Sequence, residues 1–139
     1  MTPSDSAKAL VRRFVESDLN TPDAALTDEI VAPDFFDHTN PPGMQEGRQG
    51  HRAIVALFHR AFPGLRFAIE DPMVAEGESV AFRLTMRGVH GGEFFGIPPT
   101  GTEVTVGGTH ILRLSDGMVA EHWGNNDDLG MMRQLGAVG

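Results

Sequence analysis

The chain has 139 residues, the size of one ordinary domain, and is 40% hydrophobic and 22% charged, which excludes a disordered chain. No run approaches the ~20 apolar residues of a membrane span, and cysteine is absent, which excludes disulfides, thiolate nucleophiles and Cys-ligated metals. Eleven Lys+Arg against nineteen Asp+Glu leave a net charge of -8, which argues against nucleic acid or an anionic membrane as partner, because both are met through basic patches.

Neither repeats nor low-complexity segments occur, and the Pro/Gly-rich stretches 40–50 and 96–101 are short enough to be loops within a single domain over 1–139. Ser4 or Ser6 can cap a first helix whose Leu10, Val11, Phe14, Val15 and Leu19 make one apolar stripe. A weaker helix is expected over Asp23 to Val31, ended by Pro33 and a loop reaching Gly50. A third begins near Gly50, carries Ile54, Leu57, Phe58, Ala61 and Phe62 at helical spacing, and stops at Pro63-Gly64. Strands follow: Leu65 to Glu70, Phe82 to Arg87, Val104 to Val106, and His110 to Leu114 joined by a Ser115-Asp116-Gly117 turn to Met118–Trp123. A short helix over Asp128 to Leu135 closes the chain. Helices first and antiparallel strands after are the α+β pattern, and a curved sheet covered by helices encloses an apolar hollow suited to a small molecule.

Phosphate-binding loops and nucleophile elbows are missing from the sequence, so chemistry falls to histidines and carboxylates. His51 and His59 are expected in solvent. His110 shares a strand face with Leu112 and Leu114, as a buried structural histidine or as a working one. His122, by the same alternation, faces with Met118, Ala120 and Gly124, while Glu121 and Trp123 take the other side. Asp37 follows Phe35-Phe36, as an Asx turn with Thr39 or as a base beside aromatic rings. Asp127 precedes the last helix, as its cap or as a carboxylate turned inward with Asn125 or Asn126. Phe94-Phe95 and Ile97 form an apolar lip or a packed loop. The histidine spacings do not support a zinc site.

Several segments, read together, resemble the SnoaL-like polyketide cyclases: Phe94-Phe95-Gly96-Ile97-Pro98-Pro99-Thr100, then Thr109 to Arg113, Asp116-Gly117, Glu121-His122-Trp123, and finally Leu129-Gly130 and Arg133 to Gly136. The resemblance implies the nuclear transport factor 2-like α+β cone, with a curved antiparallel sheet packed on N-terminal helices around a pocket. It also implies a homo-oligomer, dimer or tetramer, packed through the outer sheet face, where Arg83, Thr85, Arg87, Thr109 and Arg113 are candidates. Its named members close a polyketide ester ring by an intramolecular aldol reaction, without cofactor or metal. They use an aspartate, a supporting histidine and a polar residue after the second helix. The histidine falls on His110, the polar residue on Asp37 and the aspartate on Gly124, which has no side chain.

The expectation is a cytoplasmic, cofactor-independent and metal-free acid/base enzyme acting on a small hydrophobic carbonyl compound. Asp37 is the expected base, with His110 as donor or shuttle and His122 and Asp127 as further candidates. Phe36, Phe58, Phe82, Leu84, Met86, Phe94, Ile97 and Leu112 are expected to line the pocket. Two alternatives share the fold: a non-catalytic small-molecule-binding protein, for which Gly124 speaks directly, and an epoxide hydrolase or isomerase, which the absence of tyrosine disfavours.

Overall fold

A computed structural model describes residues 2–138. Helix α1 (Pro3–Arg13) is capped by Thr2, not by a serine: the Asp5 amide donates to Thr2 Oγ1 at 3.1 Å and the Thr2 amide donates back to the Asp5 carboxylate at 3.2 Å. Pro3, whose missing N–H costs nothing in the first turn, follows the cap. The chain then widens into a π-helical segment, Phe14–Leu19. Val11, Phe14 and Val15 are buried, and so is Asp18 on the same stripe. Helix α2 (Ala24–Ile30) is capped by Asp23. Helix α3 (Gly47–Ala61) starts three residues earlier than Gly50.

Where a loop was expected after α2, there is a strand. β1 (Val31–Asp37) pairs in parallel with β5 (Met118–Asn126), and its register slips between Val31 and Phe36. Pro33 lacks a donor, but β1 lies at the sheet edge, where one side of the backbone needs no partner. The sheet is therefore mixed, in the order β1-β5-β4-β3-β2. β2 (Arg66–Glu76), β3 (Ser79–Val89) and β4 (Glu103–Ser115) complete it by antiparallel pairing. β4 is continuous through Gly107-Gly108, so the two short runs read from sequence are one strand.

The β4–β5 hairpin carries a bulge. Arg113 opposes Glu121, but Leu114 opposes Val119, leaving Ala120 as the extra residue. Strict alternation would place His122 with Met118 and Ala120. The bulge resets the phase, so Val119, wholly buried, takes the inner face before it. His122 and Gly124 remain on the inner side. Helix α4 (Asp128–Gln134) packs against β4, with Gln134 hydrogen bonded to the backbone of Thr105. Two apolar clusters result. One joins α1, Ile30, Val31 and Phe35 to the sheet through Phe82, Leu84 and Leu112. The other joins Phe62, Leu65, Phe94 and Met131 to Met86, Val104 and Val106.

Candidate active site

A cavity of about 520 Å³ draws its lining from both clusters, within the usual range for a small-molecule site. Phe58, Phe82, Leu84, Met86 and Phe94 line it, and so do Asp37, His110, His122 and Gly124. Phe95 stands exposed at its edge with a φ of 44°, a left-handed conformation uncommon outside glycine. Phe36 does not line the cavity: β1 turns Phe35 and Asp37 inward, so Phe36, between them, is 46% exposed on the outer face. Ile97 packs against the second apolar cluster instead, and Leu112 is sealed within the first. Asp127 points away and caps α4, its Oδ1 accepting from the Gly130 amide at 2.9 Å, while its neighbour Asp128 lines the cavity.

Five of the inward polar groups, Thr39, Asp37, His122, His110 and Asn126, are joined in one chain. Asp37 Oδ1 accepts from the Thr39 amide at 2.9 Å, from the Thr39 hydroxyl at 2.6 Å and from His122 Nδ1 at 2.8 Å. His122 Nε2 lies 2.8 Å from His110 Nδ1, and His110 Nε2 lies 3.0 Å from Asn126 Oδ1. Asp37 Oδ2 has no protein hydrogen-bond partner among the described residues. The His110 ring is stacked between Phe82 and His122, with centroids at 5.7 and 5.1 Å.

Two glycines make this chain possible. A Cβ at Gly124 would lie 2.5 Å from His110 Nδ1 and 2.9 Å from His122 Nε2. A Cβ at Gly108 would lie 2.1 Å from Asn126 Oδ1 and 3.0 Å from His110 Nε2. Each hydrogen bond of the His110 ring thus runs over a position where no side chain can stand.

The electrostatics follow from burial and neighbours. Burial, and then the charge of His122, push the His110 imidazole down to about 4, against the opposing effects of Asn126 and Asp37. Burial alone would raise Asp37. The hydrogen bond and charge of His122 and the two bonds from Thr39 outweigh it and hold the carboxyl below its usual value.

Counting hydrogens gives the chain two states. With the Asn126 oxygen toward the ring, His110 carries its proton on Nε2 and accepts at Nδ1 from His122, which then bears protons on both nitrogens beside the Asp37 carboxylate. With the amide turned, Asn126 donates, both imidazoles are neutral, and each Nδ1 carries the proton. The states differ by one proton, and passing between them moves hydrogens along both rings. In both states His122 Nδ1 donates to Asp37, so the proton exchanged by the rings enters and leaves at His110 Nε2, while the Asp37 carboxylate can itself accept one at Oδ2.

Other histidines differ from expectation. His51 is only 4% exposed and lines the cavity, its Nε2 2.6 Å from Asp18 Oδ2. His59 is half-buried and donates to the Leu19 carbonyl at 2.7 Å. The Asp18–His51 pair has one sequence signal: Asp18 falls at helical spacing on the Val11, Phe14, Val15 stripe, where a carboxylate needs a buried partner. Among the described residues, no three His, Asp or Glu side chains group as metal ligands. No helix among them is long and apolar enough to cross a membrane.

A curved sheet wrapped by helices around a largely apolar cavity places the protein among the α+β cones of the nuclear transport factor 2-like class. Residues 9–135 match the family described as SnoaL-like polyketide cyclase, and the chain belongs to that family. It is 30% identical over 132 residues to the aklanonic acid methyl ester cyclase DnrD of Streptomyces peucetius, covering 91% of this chain and 88% of that protein. It is 31% identical over 124 residues to the nogalonic acid methyl ester cyclase of Streptomyces nogalater, covering 86% of this chain and 90% of that one. The structure of TsrD from Streptomyces laurentii superposes with a TM-score of 0.88 at 30% identity, covering 99% of this chain and 100% of TsrD.

Proposed function

We propose that this protein is a cofactor-independent cyclase of polyketide-like carbonyl esters, in which Asp37 removes a proton alpha to a carbonyl and the His122–His110 chain carries protons behind it. The observation that carries the reading is the continuous Asp37–His122–His110–Asn126 chain on the wall of a largely apolar cavity. Asp37 is ionised at neutral pH and keeps Oδ2 free for the substrate, while Thr39 and His122 hold Oδ1 in place. The apolar part of the walls lowers the local dielectric and strengthens each charge interaction inside. As the enolate forms, His110 Nε2 is the donor able to meet its oxygen once the Asn126 bond is given up.

The resemblance puts the family's acid/base aspartate at position 124, where this chain has glycine. The hydrogen bond between the two imidazoles crosses that position, so a carboxylate there and the relay exclude each other. In this reading the base stands on β1, at Asp37, and the two imidazoles fill the place a side chain on β5 would otherwise occupy. The protein would work as a homo-oligomer, a second copy covering the outer sheet face at Phe36, Ile111 and Trp123, all exposed.

The test is Asp37→Asn assayed with aklanonic acid methyl ester and nogalonic acid methyl ester, following ring closure chromatographically. Asp37→Asn should lower turnover by about 10²–10⁴-fold and leave ligand affinity within severalfold. Native-like turnover in that variant would overturn the assignment. Tight binding of the esters by the native protein with no product would make it a binding protein.

A further inference from the structure

We propose that Asp18 and His51 form a second proton-handling pair in the same cavity, on its helical wall, and that His51 delivers a proton to the substrate oxygen left anionic by ring closure. This rests on the ring-closure reading above and adds the acid that it leaves unnamed.

Three observations support it. His51 lines the cavity, its ring set 5.3 Å from that of Phe14 and 5.4 Å from that of Phe35. Its Nε2 donates to Asp18 Oδ2, whose other oxygen accepts from the Thr27 hydroxyl. Nδ1 makes no hydrogen bond to the described residues, so it is the nitrogen left for a substrate. Such a carboxylate behind an imidazole fixes the ring and neutralises the charge it acquires. With protons on both nitrogens of His51 the buried pair is neutral overall.

The pair also bridges two cavities. Asp18, Thr27 and His51 line a second, smaller hollow whose rim includes the exposed Pro22, Asp23 and Ala24. His51 belongs to both hollows, and Asp18 only to the outer one. Apolar side chains of equal volume would join α3 to the π-helical segment at no desolvation cost, so a buried ion pair is a poor choice for packing alone.

The step balances. Asp37 takes the proton alpha to the ester, and the electron pair left on carbon forms the new C–C bond to the second carbonyl. The π pair of that carbonyl moves to its oxygen, which takes the proton from His51 Nδ1. One proton is taken up at the relay and one released at His51, and exchange with water resets both.

Two readouts separate the roles: exchange of the α-hydrogens of 2-tetralone in D₂O, which needs only a base, and ring closure of the esters, which needs base and acid. For His51→Gln, ring-closure kcat should fall about a hundredfold or more with KM within about threefold, while 2-tetralone exchange stays within about threefold of native. Asp18→Asn, which keeps shape and hydrogen bonding, should lower ring closure about tenfold with exchange again retained, and serves if His51→Gln fails to fold. Ring closure at the native rate in a folded variant would overturn the proposal and leave the relay standing. Loss of both readouts in a folded His51→Gln variant would overturn the division of labour. Exchange that survives Asp37→Asn would count against the relay and not against this pair.

Discussion

At Gly124 there is no side chain, and that lets the rings of His110 and His122 meet across the β4–β5 pairing, where His110 lies directly opposite position 124. Its backbone φ is not in the left-handed region, so the requirement is space and not conformation. Gly124→Ala should therefore act by overpacking: about 1–3 kcal/mol lost in urea unfolding, with turnover reduced because the two imidazoles part. His110 gives a second expectation. Its folded value near 4 lies below the ordinary 6.5, so the unfolded chain binds the proton more readily between those values. Its contribution is whole above about pH 6.5 and falls away as pH drops toward 4, by up to about 3 kcal/mol. Asp37, also held below its ordinary value, adds a loss at still lower pH. Urea midpoints from pH 7 to 4 should fall steeply in the native protein and less in His110→Gln. Each of Asp37, His110 and His122 could be singled out from sequence by neighbours and alternation. Their bonding could not, because it depends on the register of β1, β4 and β5.

Elements were legible where periodicity was strong. α3, β3 and the β4–β5 hairpin followed from apolar spacing, and Asp127 before α4 followed from its type and place. Asp127→Ala should cost about 1 kcal/mol of stability by urea unfolding, the ordinary worth of a lost N-cap. β1 was hidden because Pro33 argues against a strand unless the strand is known to be an edge. The Ala120 bulge was hidden because one extra residue leaves no mark on composition, yet it changes which residues join His122 on the inner face. The π-helical turn over Phe14–Leu19 was hidden likewise.

For the whole molecule, the outer sheet face bears on assembly because it carries exposed apolar side chains, Phe36, Ile111 and Trp123. Trp123 stacks on His38 with ring centroids 4.7 Å apart, and Phe36 packs edge-on against the same imidazole. The Arg113–Glu121 pair lies beside them at 2.8 Å. If a second copy covers this face, Trp123→Arg should shift the sedimentation profile toward monomer while the His110–His122 chain, on the opposite side of the sheet, stays intact. An unchanged profile would remove this face from the assembly. Taken alone, the sequence determined an α+β chain with an apolar hollow and the residue types for proton transfer, because hydrophobic periods and turn residues act over a few positions. Only the tertiary structure decided that Asp37 reaches His110 through His122, that Gly108 and Gly124 stand clear for those bonds, and that His51 joins a buried carboxylate. Those contacts link residues 12 to 85 positions apart, and their geometry is set by strand pairing and helix packing.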